Sequence, residues 1–141
     1  MTTATRELLA PREHVWVLVA EPYHLPDWWP AYSGVRPDRR GLAENARWHV
    51  RRNRAPGFLR RPGGEGLLVI HRVVPGLELA WHDVEQGLDA GIVLANAPEG
   101  RTRATVEVSG PWWRLAVEGA RSHPAQALAR LHALCQTAAE L

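Results

Sequence analysis

LELAWHDVEQGLDAGIVLANAPEGRTRATVEVSG, residues 77–110, is the stretch on which the fold turns. Its first run, LELAWHDVE (77–85), alternates Leu77, Leu79 and Trp81 with Glu78, Ala80 and His82. Its last, RTRATVEVSG (101–110), alternates Ala104, Val106 and Val108 with Arg103, Thr105 and Glu107. A period of two puts the apolar members of each run on one face of a strand. LDAGIVLANA (88–97) lies between them. A two-residue loop at Gln86-Gly87 sets Trp81 opposite Ile92 and Leu79 opposite Leu94. Pro98-Glu99-Gly100 fits a type I turn closed by a left-handed glycine, which sets Leu94 opposite Ala104 and Ile92 opposite Val106. Both hairpins gather the same side chains on one face, so the segment reads as an antiparallel meander with one covered face.

Upstream of the meander, ARWHVRR (46–52) adds a strand with Trp48 and Val50 on one face and Arg47, His49 and Arg51 on the other. GLLVIHRVV (66–74) is apolar on both faces, with Leu68 and Ile70 assigned inward. His71 and Arg72 are neighbours, so one faces in and the other out. A plain two-residue loop at Pro75-Gly76 turns Arg72 inward, but that pair is not a favoured hairpin loop and a shift by one is open. RNRAPGFLRRPGGEG (52–66) is a Pro/Gly-rich connection carrying Phe58.

The flanks add one more strand and the helices. TATRELL (3–9) is a first strand, and Pro11 opens a helix with Val15, Trp16, Leu18 and Val19 on one stripe. In HLPDWWP (24–30), Pro26 opens a second short helix of about two turns, limited by Pro30 and Gly34. Successive helical residues point about 100° apart. Trp28 is therefore assigned as a wedge between helix and sheet, and Trp29 to the mouth of a pocket. After a short turn in PWWRLAVEGA (111–120), Ser122 caps a last helix whose stripe is Leu128, Leu131, Leu134, Cys135, Ala138 and Leu141.

The totals suit one soluble domain spanning 1–141: 45% apolar and 23% charged residues in 141. No run approaches the ~20 apolar residues of a membrane span, and the first residues show no apolar core of a signal peptide. With a single cysteine, Cys135, the expected location is cytoplasmic. All seventeen basic residues are arginine, and nine fall between Arg36 and Arg61 against Asp38 and Glu44 alone.

The order strand, two short helices, meander, long helix resembles the START-like helix-grip superfamily (SRPBCC; polyketide cyclase/dehydrase-like). LLAPREHVWVLVAEPYHLPDWWP (8–30), VVPGLELAWHD (73–83) and the strand-to-helix ending carry the resemblance. It implies an α+β fold in which a curved antiparallel sheet of six to seven strands wraps a long C-terminal helix. It also implies a cavity between them for a hydrophobic or amphipathic molecule. Trp48, Val50, Leu68, Ile70, Leu79, Trp81, Ile92, Leu94, Ala104 and Val106 would line that cavity, with Trp29 and Phe58 at its mouth.

Asp83 continues the Leu79–Trp81 face. A buried Arg72 would need a partner, for which Asp83 is suited. Three functions stay open. One is binding or carrying a lipid- or polyketide-like ligand. Another is a cyclase, aromatase or dehydratase acting through Arg72, Asp83 and Tyr32. The last is a partner- or anion-binding module using residues 36–61. Nucleic acid is disfavoured by the low net charge of +2. No cofactor fingerprint occurs, and no His-x-His or Cys-x-x-Cys spacing, so neither cofactor nor metal is expected. The chain is read as a monomer or homodimer.

Overall fold

A computed structural model describes residues 1–52, 64–117 and 119–140, apart from the side chains of 117 and 138–140. Phe58 and Leu141 lie outside the described residues, and so does the Ala138 side chain. Seven strands form one antiparallel sheet: β1 (Thr2–Leu8), β2 (Tyr32–Pro37), β3 (Arg47–Arg52), β4 (Glu65–Val74), β5 (Glu78–Asp83), β6 (Leu88–Ala97) and β7 (Arg101–Ser109). Their spatial order is β1-β7-β6-β5-β4-β3-β2. Two short helices, α1 (Arg12–Ala20) and α2 (Leu25–Trp28), follow β1; α3 (Trp112–Val117) and α4 (His123–Glu140) end the chain. This is the helix-grip arrangement, with α4 packed chiefly on β1 and β7 and against α2.

Alternation sets the inner face. Trp48, Leu68, Ile70, Leu79, Trp81, Ile92, Leu94, Ala104 and Val106 are all buried there, and α4 closes on them through Ala127, Leu128, Leu131 and Cys135. The β6–β7 register agrees with the sequence reading, with Leu94 opposite Ala104 and Ile92 opposite Val106. The turn between them differs from a simple type I turn, because Glu99 as well as Gly100 has a positive φ (63° and 71°).

The β5–β6 register is displaced from the expected one. Leu79 faces Ile92 and Trp81 faces Ala90, because the connection spans residues 84–87 rather than two. Asp83 is the cause: its backbone oxygen accepts from Gly87 N–H at 2.9 Å and its Oδ1 from Gln86 N–H at 3.1 Å. Those bonds lock a wider turn. The displacement equals one full pleat, so every side chain keeps its face. Leu77 falls in the preceding turn and is exposed.

A β-bulge settles the pairing of β4 with β5. Ile70 pairs with Trp81 and Arg72 with Ala80, so His71 is the extra residue. With an extra residue, two neighbours can share a face. His71 and Arg72 are both exposed, and Val73 returns to pack against the core. The choice between His71 and Arg72 as the inward residue has neither as its answer. Arg72 ion-pairs with Glu78 at 3.0 Å on the outer face, far in role from the inward arginine expected of it.

Candidate functional site

Four adjacent strands bring polar residues to one end of the inner face. Antiparallel neighbours place the start of one strand beside the end of the next. Tyr32 opens β2 opposite Arg52, which ends β3; Gly66 lies near the start of β4; Asp83 ends β5 opposite Leu68. The result is a row running from Tyr32 through Arg52 and over Gly66 to Asp83.

Arg52 grips Asp83 with two parallel bonds, Nη1 to Oδ2 at 2.9 Å and Nη2 to Oδ1 at 2.7 Å. Tyr32 donates its hydroxyl to Asp83 Oδ2 at 2.8 Å. With the Gln86 N–H on Oδ1, the carboxylate accepts four bonds, its usual capacity. Glu85 adds an outer clamp, accepting from Arg52 Nη2 at 3.2 Å and from Leu67 N–H at 2.9 Å. The guanidinium passes directly over Gly66: a Cβ there would stand 2.9 Å from Arg52 Cζ and from Glu85 Oε2. Glycine at 66 is what lets the arginine reach β5.

Burial controls the acid–base character of the row. It pushes the Asp83 carboxyl above its ordinary range, against the opposing pull of Arg52 and the hydrogen bonds from Tyr32 and Gln86. Burial, then the charge of Asp83 and the bond to it, holds the Tyr32 phenol well above its ordinary value. Burial would also raise Glu85, but the Leu67 N–H and the Arg52 guanidinium hold it below the usual range.

Beside the row lies a layer of tryptophans. Trp28, Trp29 and Trp81 contact one another edge-to-face, with centroids 5.0–5.9 Å apart. Trp29 also meets His123 of α4. Trp28 acts as the expected wedge, yet Trp29 is equally buried rather than at a mouth. The α2 helix is a single turn, so Trp29 leaves it in extended conformation and folds back under α4. Trp48 is anchored by its indole N–H to the Gly41 oxygen at 2.7 Å. The indole N–H groups of Trp28 and Trp81 are buried and have no acceptor among the described residues. That of Trp81 lies near the Tyr32 hydroxyl without reaching hydrogen-bond geometry.

Of the residues singled out from sequence, Tyr32 and Asp83 meet, and Arg72 does not join them. The basic partner is Arg52, whose signal was present: it is in phase with Trp48 and Val50 on β3. The anticipated lining residues of the inner face are buried between the sheet and α4. Two concavities lie elsewhere. A groove of about 490 Å³ runs between Leu9, Pro11, His14, Val17 and Leu18 and Cys135 of α4. Cys135 is buried, which raises its thiol pKa and suits a packing role. On the outer face, a concavity of about 330 Å³ borders His71, Glu78, Asp89, Gly91, Thr105 and Glu107. There His71, His82 and Asp89 form a cluster that spacing along the chain did not reveal. Arg36, Arg39, Arg40, Arg47 and Arg51 of the basic segment point to solvent, and its remainder from 53 lies outside the described residues. Among the described residues no helix is long and apolar enough to cross a membrane.

No family model matches the chain, and no curated protein does. Solved structures do. A protein from Nitrosospira multiformis aligns over 99% of both chains with a TM-score of 0.74 at 14% identity. Protein NE0264 from Nitrosomonas europaea covers 99% of this chain and 96% of its own, with a TM-score of 0.70 at 19% identity. DynU16, a protein of the dynemicin biosynthetic locus, matches 97% of this chain with a TM-score of 0.68 at 19% identity, and this chain spans 47% of DynU16. These likenesses are of fold.

Proposed function

We propose that this protein is an SRPBCC-type carrier that binds a small, largely apolar molecule bearing oxygen acceptors, between the sheet and α4, at the tryptophan layer. The carrying observation is the pair of buried indole N–H groups, Trp28 and Trp81, that lack acceptors among the described residues. An unsatisfied buried donor costs about 1–3 kcal/mol, and here two lie in one aromatic layer. A ligand carbonyl or phenol oxygen would satisfy them, while Trp29, Trp48 and the aliphatic inner face supply the apolar contact. The edge-to-face layer of Trp28, Trp29 and Trp81 favours a flat aromatic ligand over a lipid.

Holding is favoured over turnover by the state of the polar row. Asp83 spends its acceptor capacity on Arg52, Tyr32 and Gln86, and the Tyr32 hydroxyl is committed as a hydrogen-bond donor to Asp83. A general acid or base needs a free proton or lone pair aimed at substrate. The row therefore serves as a rigid end wall.

Native mass spectrometry of protein isolated from its own cells tests this reading, with a hydroxyanthraquinone and a C14 fatty acid as binding probes in vitro. A retained aromatic mass, and tighter binding of the anthraquinone, supports the proposal. Preference for the fatty acid overturns the aromatic assignment. Release of a chemically altered probe overturns the carrier reading in favour of a cyclase or dehydratase.

A further inference from the structure

The second cluster of chemistry is on the opposite side of the sheet. His71, His82 and Asp89 stand on three adjacent strands, β4, β5 and β6. His82 and Asp89 are direct cross-strand partners, and the bulge presents His71 beside them on the same outer face. His82 Nδ1 and His71 Nε2 both approach Asp89 Oδ1, at 3.0 Å and 3.2 Å, and the two imidazole rings are 5.8 Å apart. All three ligand atoms lie within 4.8 Å of one another.

Two imidazole nitrogens and a carboxylate oxygen suit a borderline divalent ion. Bonds of about 2.0–2.2 Å in a tetrahedral site set ligand atoms roughly 3.2–3.6 Å apart. Both nitrogen–oxygen distances are already close to that, so rotations of the exposed His71 ring and the half-buried His82 ring complete the set. The ligands arise from paired strands, which fix their spacing better than loops do.

We propose that His71, His82 and Asp89 form a three-ligand site for a divalent first-row transition metal, with its open coordination positions facing the outer concavity. That concavity is floored by Ala80 and Gly91 and edged by Thr105 and Glu107. Small residues on the floor leave room for water or a small anionic ligand on the metal. Glu78, also at the edge, is engaged by Arg72. The site is independent of the inner tryptophan layer, since the ligands point away from it.

Calorimetric titration of the metal-stripped full chain with Zn²⁺ tests the proposal, alongside visible absorption after loading with Co²⁺. The expected result is one ion per chain, with affinity reduced at least about tenfold in each of His71→Ala, His82→Ala and Asp89→Ala. His49→Ala, an exposed histidine on β3, should bind as the wild type does. The Co²⁺ ligand-field bands should disappear in the His71→Ala/His82→Ala double variant, whose thermal unfolding without metal reports that it is folded. Absence of a one-to-one wild-type isotherm overturns the proposal. So does equal affinity in the double variant, which would show binding by other histidines.

Discussion

On β5, Asp83 points inward and its neighbour His82 points outward. One strand thus serves two different electrostatic environments. Asp83, 3% exposed, is held by a bidentate arginine, a phenol and a backbone N–H. His82 has one carboxylate partner, which it shares with His71 in water. In the inner row each polar group is held by fixed neighbours, and removing one strands the others. Outside, water takes the place of a lost partner, and salt screens what remains. The inner row is therefore built for rigidity, and the outer cluster has coordination capacity to spare.

The largest effect should come from Asp83→Ala. Among the described residues it leaves the largely buried Arg52 guanidinium with Glu85 as its remaining partner and the Tyr32 hydroxyl without an acceptor. A loss of about 3–5 kcal/mol in urea unfolding is expected. A loss below about 1 kcal/mol would erase the distinction between the two faces. Next is Gly66→Ala, whose methyl group occupies the path of Arg52 and should cost about 1–3 kcal/mol. Arg52→Met in the same background should remove most of that additional cost, because the obstructed guanidinium is gone.

Protonation sharpens the contrast further. The native Asp83 carboxyl holds its proton more tightly than the unfolded chain does. Its contribution to stability is fully present below the ordinary carboxylate value of about 4 and is lost as pH rises through the raised native value. Exposed Asp38 has the opposite sign: N–H groups of Arg47 and Arg40 lower its pKa. Its contribution is present above the ordinary value and lost as pH falls through the lowered one. Across about pH 3 to 7, the stability of wild type relative to Asp83→Asn should fall with rising pH, and relative to Asp38→Asn it should rise. The smallest effect is expected of His82→Ala without metal, within about 0.5 kcal/mol by thermal unfolding.

The inner face was readable because alternation alone determines it. Trp48, Leu79, Trp81, Ile92 and Val106 needed no register to be placed. Register was less legible. Asp83 widened its own turn through a side-chain bond, which composition does not disclose. The bulge at His71 was invisible for a related reason: Ile-His-Arg-Val supports either phase, and pairing with β5 decides. The polar row depends on four strands converging at one end of a curved sheet. Arg52 carried the right phase, but its reach across Gly66 is a three-dimensional fact. His71, His82 and Asp89 are 11 and 7 residues apart in sequence, and only the pairing of their strands makes them neighbours.

Under the proposed function, the buried indoles of Trp28 and Trp81 are ligand donors. Resolved ¹H–¹⁵N indole resonances test it most directly, with Trp28 and Trp81 assigned through Trp28→Phe and Trp81→Phe. On titration with the hydroxyanthraquinone, these two signals should move downfield as their N–H groups gain an acceptor, while exposed Trp112 stays in place. Saturable binding that shifts Trp112 and Trp113 and leaves Trp28 and Trp81 unmoved would contradict a ligand site at the tryptophan layer.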